Sequence, residues 1–142
     1  MKLGSLAASR AAYYDRNATS QTIQYVADIA PHGTTLRATY TTPAGKKAYI
    51  EAAAIYMRCS SAPTVAGRNF GIVRVTDASA NLIEICRIDK NANTVVGNSY
   101  AVTSTSMPTV YAGETITIYT NDASTGGTVD YVIGAKVTQF DA

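Results

Sequence analysis

A period-two alternation in the last third of the sequence constrains the fold more than any other feature. In Thr115–Thr120, β-branched polar residues alternate with apolar ones, and from Val129 to Val137 every second residue is apolar. This period is that of a strand with one buried face. The stretch 121–127 between the two segments is rich in turn formers, so we expect a hairpin. Gly113 marks a turn ahead of it, because glycine accepts a positive φ.

Two shorter strands are predicted before residue 43. Their one-sided apolar residues are Ile23, Tyr25, Ala27 and Ile29, then Leu36, Ala38 and Tyr40. The segment Lys47–Met57 is almost entirely apolar and rich in alanine, a composition that also allows a helix. The preceding Pro43-Ala44-Gly45 turn and the strand propensity of tyrosine and isoleucine favour a central strand.

A second hairpin is predicted from the alternation in Phe70–Val75 and Leu82–Ile88, with Arg74 and Glu84 available to pair across it. A further strand is predicted within Thr94–Thr103. Together the segments give about eight short, regularly spaced strands. The predicted fold is all-β, an antiparallel β-sandwich or jelly roll over residues 21–142, with an irregular N-terminal arm over residues 1–20.

Composition limits the classes of function. The chain has 142 residues, of which only 15% are charged, against about 25% in ordinary soluble domains. Such a surface suits a protein that is partly covered in an assembly. A net charge of +2 is too small to indicate a nucleic-acid partner. No run approaches the roughly 18 apolar residues that span a bilayer, and residues 1–10 are too polar for a signal peptide. We therefore expect a cytosolic site of assembly and no membrane partner.

The residue types needed for catalysis are sparse. The one histidine, His32, lies in a Pro-His-Gly turn, where a solvated loop role is expected, and a single histidine cannot supply a metal centre. Glu51 and Glu84 are interpreted as outward strand residues, and not as a glycosidase pair. Cys59 and Cys86 are expected to be reduced core residues. The sequence predicts no enzyme, no cofactor and no metal.

Two groups of tyrosines leave alternatives open. In the arm, Arg10, Tyr13, Tyr14 and Arg16 have a composition favoured at protein interfaces, and we predict that this segment is an interface arm. The alternative for this segment is a frayed terminus. Tyrosines at alternate strand positions either pack at the core edge or against a neighbour, or present rings that stack on sugars. The first interpretation is favoured.

Two stretches resemble segments of small phage structural proteins. Thr39-Tyr40-Thr41-Thr42-Pro43-Ala44-Gly45-Lys46-Lys47-Ala48-Tyr49-Ile50 resembles a strand start common in that group. Val110-Tyr111-Ala112-Gly113-Glu114-Thr115-Ile116 resembles the turn before a late strand of trimeric jelly rolls. Over roughly residues 35–140 the chain is similar to head decoration (capsid auxiliary) proteins of tailed bacteriophages.

This resemblance implies a structural virion protein located on the capsid exterior and assembled in the host cytoplasm. Its implied partners are the major capsid protein and two further copies of itself. The resemblance further implies that Arg10, Tyr13, Tyr14 and Arg16 of the arm contact the capsid or a neighbouring subunit. As a homotrimer it would bridge neighbouring capsomers and stabilise the shell. Both motifs also occur in tail and fibre proteins. A receptor- or glycan-binding module of a tail tip or fibre is therefore the alternative.

Overall fold

The computed structural model describes residues 18–29, 34–91, 94–104 and 108–142. Nine strands lie within these ranges. Their bounds are β1 Thr19–Ile29, β2 Thr35–Thr41, β3 Lys46–Ser61, β4 Arg68–Thr76, β5 Leu82–Asn91, β6 Ser99–Ser104, β7 Thr109–Tyr111, β8 Thr115–Asp122 and β9 Thr128–Asp141. No helix occurs in the described ranges, and consequently none that is long and apolar enough to cross a membrane.

The strands form two antiparallel sheets that pack as a sandwich. Sheet A has the order β1-β9-β3-β6, with β7 also paired to β3, and sheet B has the order β2-β8-β4-β5. If the short strand β7 is left out and the other eight strands are numbered again in chain order, sheet A has the order 1-8-3-6 and sheet B has the order 2-7-4-5. This is the strand order of a jelly roll. The predicted all-β sandwich is confirmed.

The core lies between the sheets and follows the alternation of the sequence. On β9 the inward residues include Tyr131, Ile133 and Val137, each without exposed surface. Sheet B contributes Ile116 and Ile118 from β8, both also fully buried. Every second residue of these strands thus enters one shared apolar layer, which is the main favourable contribution to folding.

The segment Lys47–Met57, predicted as a central strand, is part of the central strand β3. β3 has 16 residues and pairs with β9 on one side and with β6 and β7 on the other. The turn ahead of it closes with a 3.1 Å hydrogen bond from the Lys46 backbone N–H to the Pro43 carbonyl. Gly45 has a φ of +75°, which a side chain would disfavour. Tertiary pairing therefore overrides the helix propensity of the alanines.

The predicted hairpin of β8 and β9 is wrong, although both strands exist. β8 pairs with β2 and β4 in sheet B, whereas β9 pairs with β1 and β3 in sheet A. The connection 123–127 crosses the sandwich beside the connection 62–67, which joins β3 to β4. The two connections are joined by a bridge between Val65 and Thr125, in which the Thr125 N–H donates a 2.9 Å hydrogen bond to the Val65 carbonyl. The glycines and other turn formers of this connection therefore lead from sheet B to sheet A, and do not form a hairpin turn.

The other strand predictions hold, with one local correction. β4 and β5 form the predicted hairpin, and β6 lies where the further strand was predicted. Leu36 was predicted to share an inward face with Ala38 and Tyr40, but it is 50% exposed. Leu36 pairs with Tyr119 of β8 and Ala38 pairs with the adjacent Ile118, so Arg37 is an extra residue in β2 without a partner in this register. This β-bulge reverses the alternation.

Candidate interaction surfaces

The four residues predicted to contact a capsid or neighbour lie outside the described residues. These are Arg10, Tyr13, Tyr14 and Arg16. His32 also lies outside them. β1 begins at Thr19, so the last two residues of the predicted arm, 19–20, belong to this strand.

The outward face of sheet A, here called the A face, is made of small and weakly polar side chains. The register aligns Gln24, Gly134, Ala54 and Thr103 in one row across β1, β9, β3 and β6. The adjacent row contains Val132, Tyr56 and Ala101. Tyr56 and Val132 are 36% and 38% exposed. A shallow depression runs over these two rows, bordered by Thr22, Ala52 and Lys136.

Charges on the A face flank these two rows and recur beyond them, where Lys47 Nζ lies 5.8 Å from the centre of the Tyr111 ring. At one end Arg58 donates two hydrogen bonds to Asp130, of 3.1 and 2.6 Å. At the other end Lys136 lies beside Ala52. The area between them contains no charged residue among those described. Such a surface loses little hydration free energy when another surface covers it, because no charge must be desolvated.

The outward face of sheet B, the B face, is built from arginines and aromatic rings. The Arg74 guanidinium carbon lies 4.1 Å from the centre of the Tyr119 ring. Those of Arg68 and Arg87 lie 5.3 and 5.0 Å from the centre of the Phe70 ring. Cation–π attraction therefore holds these groups against one another.

Asp89 connects two of these arginines. Its carboxylate accepts a 2.8 Å hydrogen bond from Arg68 Nε and a 2.9 Å bond from Arg87 Nη2. These bonds, foremost the one from Arg68, lower the pKa of Asp89 to about 2. Glu84 is directly opposite Arg74 in the register, as predicted. Its recorded ion pair is instead with Arg87, at 3.5 Å.

The interior end of the sandwich near the two crossovers is polar. Asn69 and Asp122 are partners on β4 and β8 and are 0% and 3% exposed. Ser124 donates its backbone N–H to Asp122 Oδ1 at 2.9 Å and its hydroxyl to Asn69 Oδ1 at 3.3 Å. Nearby, the Tyr131 hydroxyl donates to the Asn121 carbonyl at 3.1 Å, and burial raises the pKa of this phenol. The hydrogen-bonding groups here link β4 and β8 to the crossover.

The described residues bring no catalytic set together. Glu51 and Glu84 are both exposed, as predicted, and lie on different sheets. Within the described ranges, no group of three or more His, Cys, Asp or Glu side chains has the spacing of a metal site. Cys59 and Cys86 are free and buried, as predicted.

Sequence reasoning missed both faces. Ala52, Ala54 and Tyr56 alternate with the core residues of β3, so the signal for the A face was an apolar set on both sides of one strand. The arginine–aromatic contacts of the B face join residues on different strands. Without the register, the sequence offered no signal for them.

No protein-family model matches the sequence, and no curated protein matches it. Among solved structures, the chain is similar to dimeric latent PorU from Porphyromonas gingivalis, with a TM-score of 0.54 and 11% identity over 88% of this chain. The chain spans 13% of the length of that protein.

Two weaker similarities were also found. The Eiger TNF structure from S. frugiperda has a TM-score of 0.43 and 11% identity, over 89% of this chain and 94% of that one. The structure of infectious bursal disease virus Gt strain has a TM-score of 0.42 and 11% identity, over 87% of this chain and 33% of that one. The similarity to PorU supports the fold alone. The chain is a β-sandwich module of the jelly-roll type.

Proposed function

We propose that the chain is a structural virion protein, a capsid auxiliary protein of a tailed bacteriophage. It binds the outer surface of the capsid as a homotrimer, bridges neighbouring capsomers and does no catalysis. It is assembled in the host cytoplasm. The observation that supports this proposal best is the uncharged area of the A face between Arg58 and Lys136. Surfaces of this kind suit contact with other subunits more than recognition of a small polar ligand.

The mechanism is attachment through many weak contacts. Three linked copies bind a shell far more tightly than one copy does, because the second and third contacts form at a high effective concentration. The proposed division of labour gives the A face to neighbouring copies. The arm, with Arg10, Tyr13, Tyr14 and Arg16, binds the major capsid protein.

A glycan-binding module of a tail tip or fibre is less well supported. Sugar recognition needs exposed aromatic faces. On the B face, guanidinium groups already lie over Tyr119 and Phe70. A sugar would have to displace these cations before stacking on the rings.

Deletion of residues 2–17 tests the proposal, because it removes the arm and leaves β1 intact. We expect the truncated protein to fold and to lose at least tenfold in affinity for auxiliary-free expanded capsids of the encoding phage, measured by co-sedimentation. The fourfold alanine variant R10A/Y13A/Y14A/R16A should reproduce the loss. The matched control K46A/K47A removes two cations from the start of β3 and should leave binding unchanged. Full capsid binding by the truncated protein would contradict the assigned role of the arm. No binding by the intact chain would contradict the capsid function.

A further inference from the structure

The edge strands of sheet A and those of sheet B differ in charge and in regularity. An edge strand presents unpaired backbone N–H and C=O groups, and proteins that remain monomeric protect such edges with charges, bulges or short strands. Among the described residues, β1 and the β6–β7 side are the edges of sheet A, and β2 and β5 are the edges of sheet B.

Both edges of sheet B are protected. In β2 the bulge at Arg37 interrupts the ladder and brings a cation to the edge strand. In β5 the register shifts at Ile85, and this strand contains Glu84, Arg87, Asp89 and Lys90. A strand of another molecule would meet irregular backbone at either edge, together with one cation on β2 and four charged residues on β5.

The edge strands of sheet A contain no bulge and no cation, although β6 and β7 are short, with 6 and 3 residues. Because they lack cations and bulges, these edges are here called unprotected. β1 is 11 residues long, and its register with β9 has no shift. Its sequence has no lysine, arginine, glutamate or proline, and Asp28 is its only ionisable acid. β6 pairs with Arg58–Ala53 without a shift, and neither β6 nor β7 contains a charged residue.

The two unprotected edges also match in length and direction. β1 follows β9 from Val129 to Gln139. On the other edge, β7 pairs with Lys47–Tyr49 of β3 and β6 pairs with Ala53–Arg58, so that residues 50–52 of β3 pair with neither strand. This span of β3 pairs with the same part of β9. Since all pairs in sheet A are antiparallel, β1 and β6 run in opposite directions. Copies related by an axis parallel to the strands would therefore place β1 antiparallel to β6 of the next copy.

We propose that the β1 edge of one copy pairs with the β6–β7 edge of the next, so that sheet A continues from subunit to subunit. The inference rests on the homotrimer of the proposed function and is independent of capsid binding. A contact between two different edges closes into a ring when the rotation fits, and a ring leaves no edge of sheet A unpaired. Because sheet B lies on the other side, the A faces turn toward the common axis. The occupant of the unprotected edge is thus a second copy of this chain.

Charges of one sign on both edges test the pairing. The variant T22K/Q24K/A101K/T103K changes four exposed side chains of β1 and β6. We expect the intact chain to have three times its 15.0 kDa mass by light scattering and the variant to have a threefold lower mass. The control T39K/T41K/L82K/I83K adds the same charge to exposed positions of β2 and β5 and should stay trimeric. T22K/Q24K/A101E/T103E, with opposite signs on the two edges, should also be trimeric.

Cysteine crosslinking identifies which edges meet. Q24C/T103C should form disulfide-linked dimers and trimers under oxidation, whereas Q24C alone should stay uncrosslinked. The native Cys59 and Cys86 are buried and do not interfere. Crosslinking of Q24C alone would overturn the proposal, because β1 would then meet β1. A folded four-lysine variant that stays trimeric, or a monomeric wild-type chain, would overturn it as well. A crosslinked trimer that fails to co-sediment with capsids would instead refute the capsid function and leave the edge pairing intact.

Discussion

Sheets A and B share one core, but their outward faces and their edges differ. The outward side of sheet B is covered by arginines that contact aromatic rings and carboxylates, and its edges carry charges and bulges. The outward side of sheet A is small and weakly polar, with regular edges. The inward faces obey the same packing rule, so burial alone does not explain the difference. The outward side of sheet B has the charged surface of a protein that meets water, whereas the proposed function gives the outward side of sheet A to other subunits.

The largest predicted effect concerns the core that the sheets share. Tyr131 is the largest of the fully buried side chains. Tyr131→Ala should lower the free energy of unfolding by about 3–5 kcal/mol, because a cavity replaces the ring, as measured by urea denaturation. Tyr111→Ala, at a site that is 53% exposed, should change stability by about 0.5 kcal/mol or less. Equal effects of the two substitutions would contradict the placement of Tyr131 in the shared core.

A second prediction compares glycines on the two sheets. A Cβ at Gly71 in sheet B would lie 3.0 Å from Ile133 Cδ1 and 3.2 Å from Ile55 Cγ2 of sheet A, closer than ordinary contact. Gly71→Ala should therefore destabilise by about 1–3 kcal/mol through overpacking. At Gly134 on the A face the nearest atom would be the Ile23 carbonyl oxygen at 3.4 Å. Gly134→Ala should be neutral or slightly stabilising in the same denaturation assay. The reverse order would mean that the inward and outward sides are assigned wrongly.

The smallest effect is expected on the B face. The pKa of Asp89 falls from 3.8 to about 2 on folding, so this carboxylate stabilises the fold above pH 4, and the contribution disappears as pH falls from about 4 to 2. Asp89→Asn should lower stability at pH 7 by less than about 1 kcal/mol, since exposed ion pairs are screened by solvent. The difference from wild type should vanish near pH 2.

Glu51→Gln is the matched control for Asp89→Asn, because it removes one negative charge from an exposed position of sheet A. Urea midpoints of both variants between pH 2 and 7 provide the measurement. A difference between Asp89→Asn and wild type that persists unchanged to pH 2 would show that the arginines do not stabilise the ionised carboxylate.

Local pattern predicted the strands well and their partners poorly. The alternation around Tyr131 and Ile118 identified β9 and β8 because the period of a strand is a local property. Whether 123–127 returns as a hairpin or crosses to the other sheet depends on the contact between Val65 and Thr125, which lie far apart in sequence. Similarly, the bulge at Arg37 depends on the pairing of β2 with β8, so the orientation of Leu36 could not be derived from alternation.

The candidate surfaces were predictable only in part. The low charge of the sequence pointed to a protein that is partly covered in an assembly. The rows of the A face and the unprotected edges required the register of β1, β9, β3 and β6. The predicted contact residues Arg10, Tyr13, Tyr14 and Arg16 lie outside the described residues, and their role stays a prediction.

The two buried thiols can report local unfolding of the sandwich. Cys59 belongs to sheet A and Cys86 to sheet B, and neither forms a disulfide. Burial raises the pKa of Cys86 to about 11, and the thiolate is the form that reacts with alkylating reagents. Labelling in the folded state should therefore proceed only through transient separation of strands. The labelling rates of Cys59 and Cys86 would therefore give separate opening rates for sheet A and sheet B.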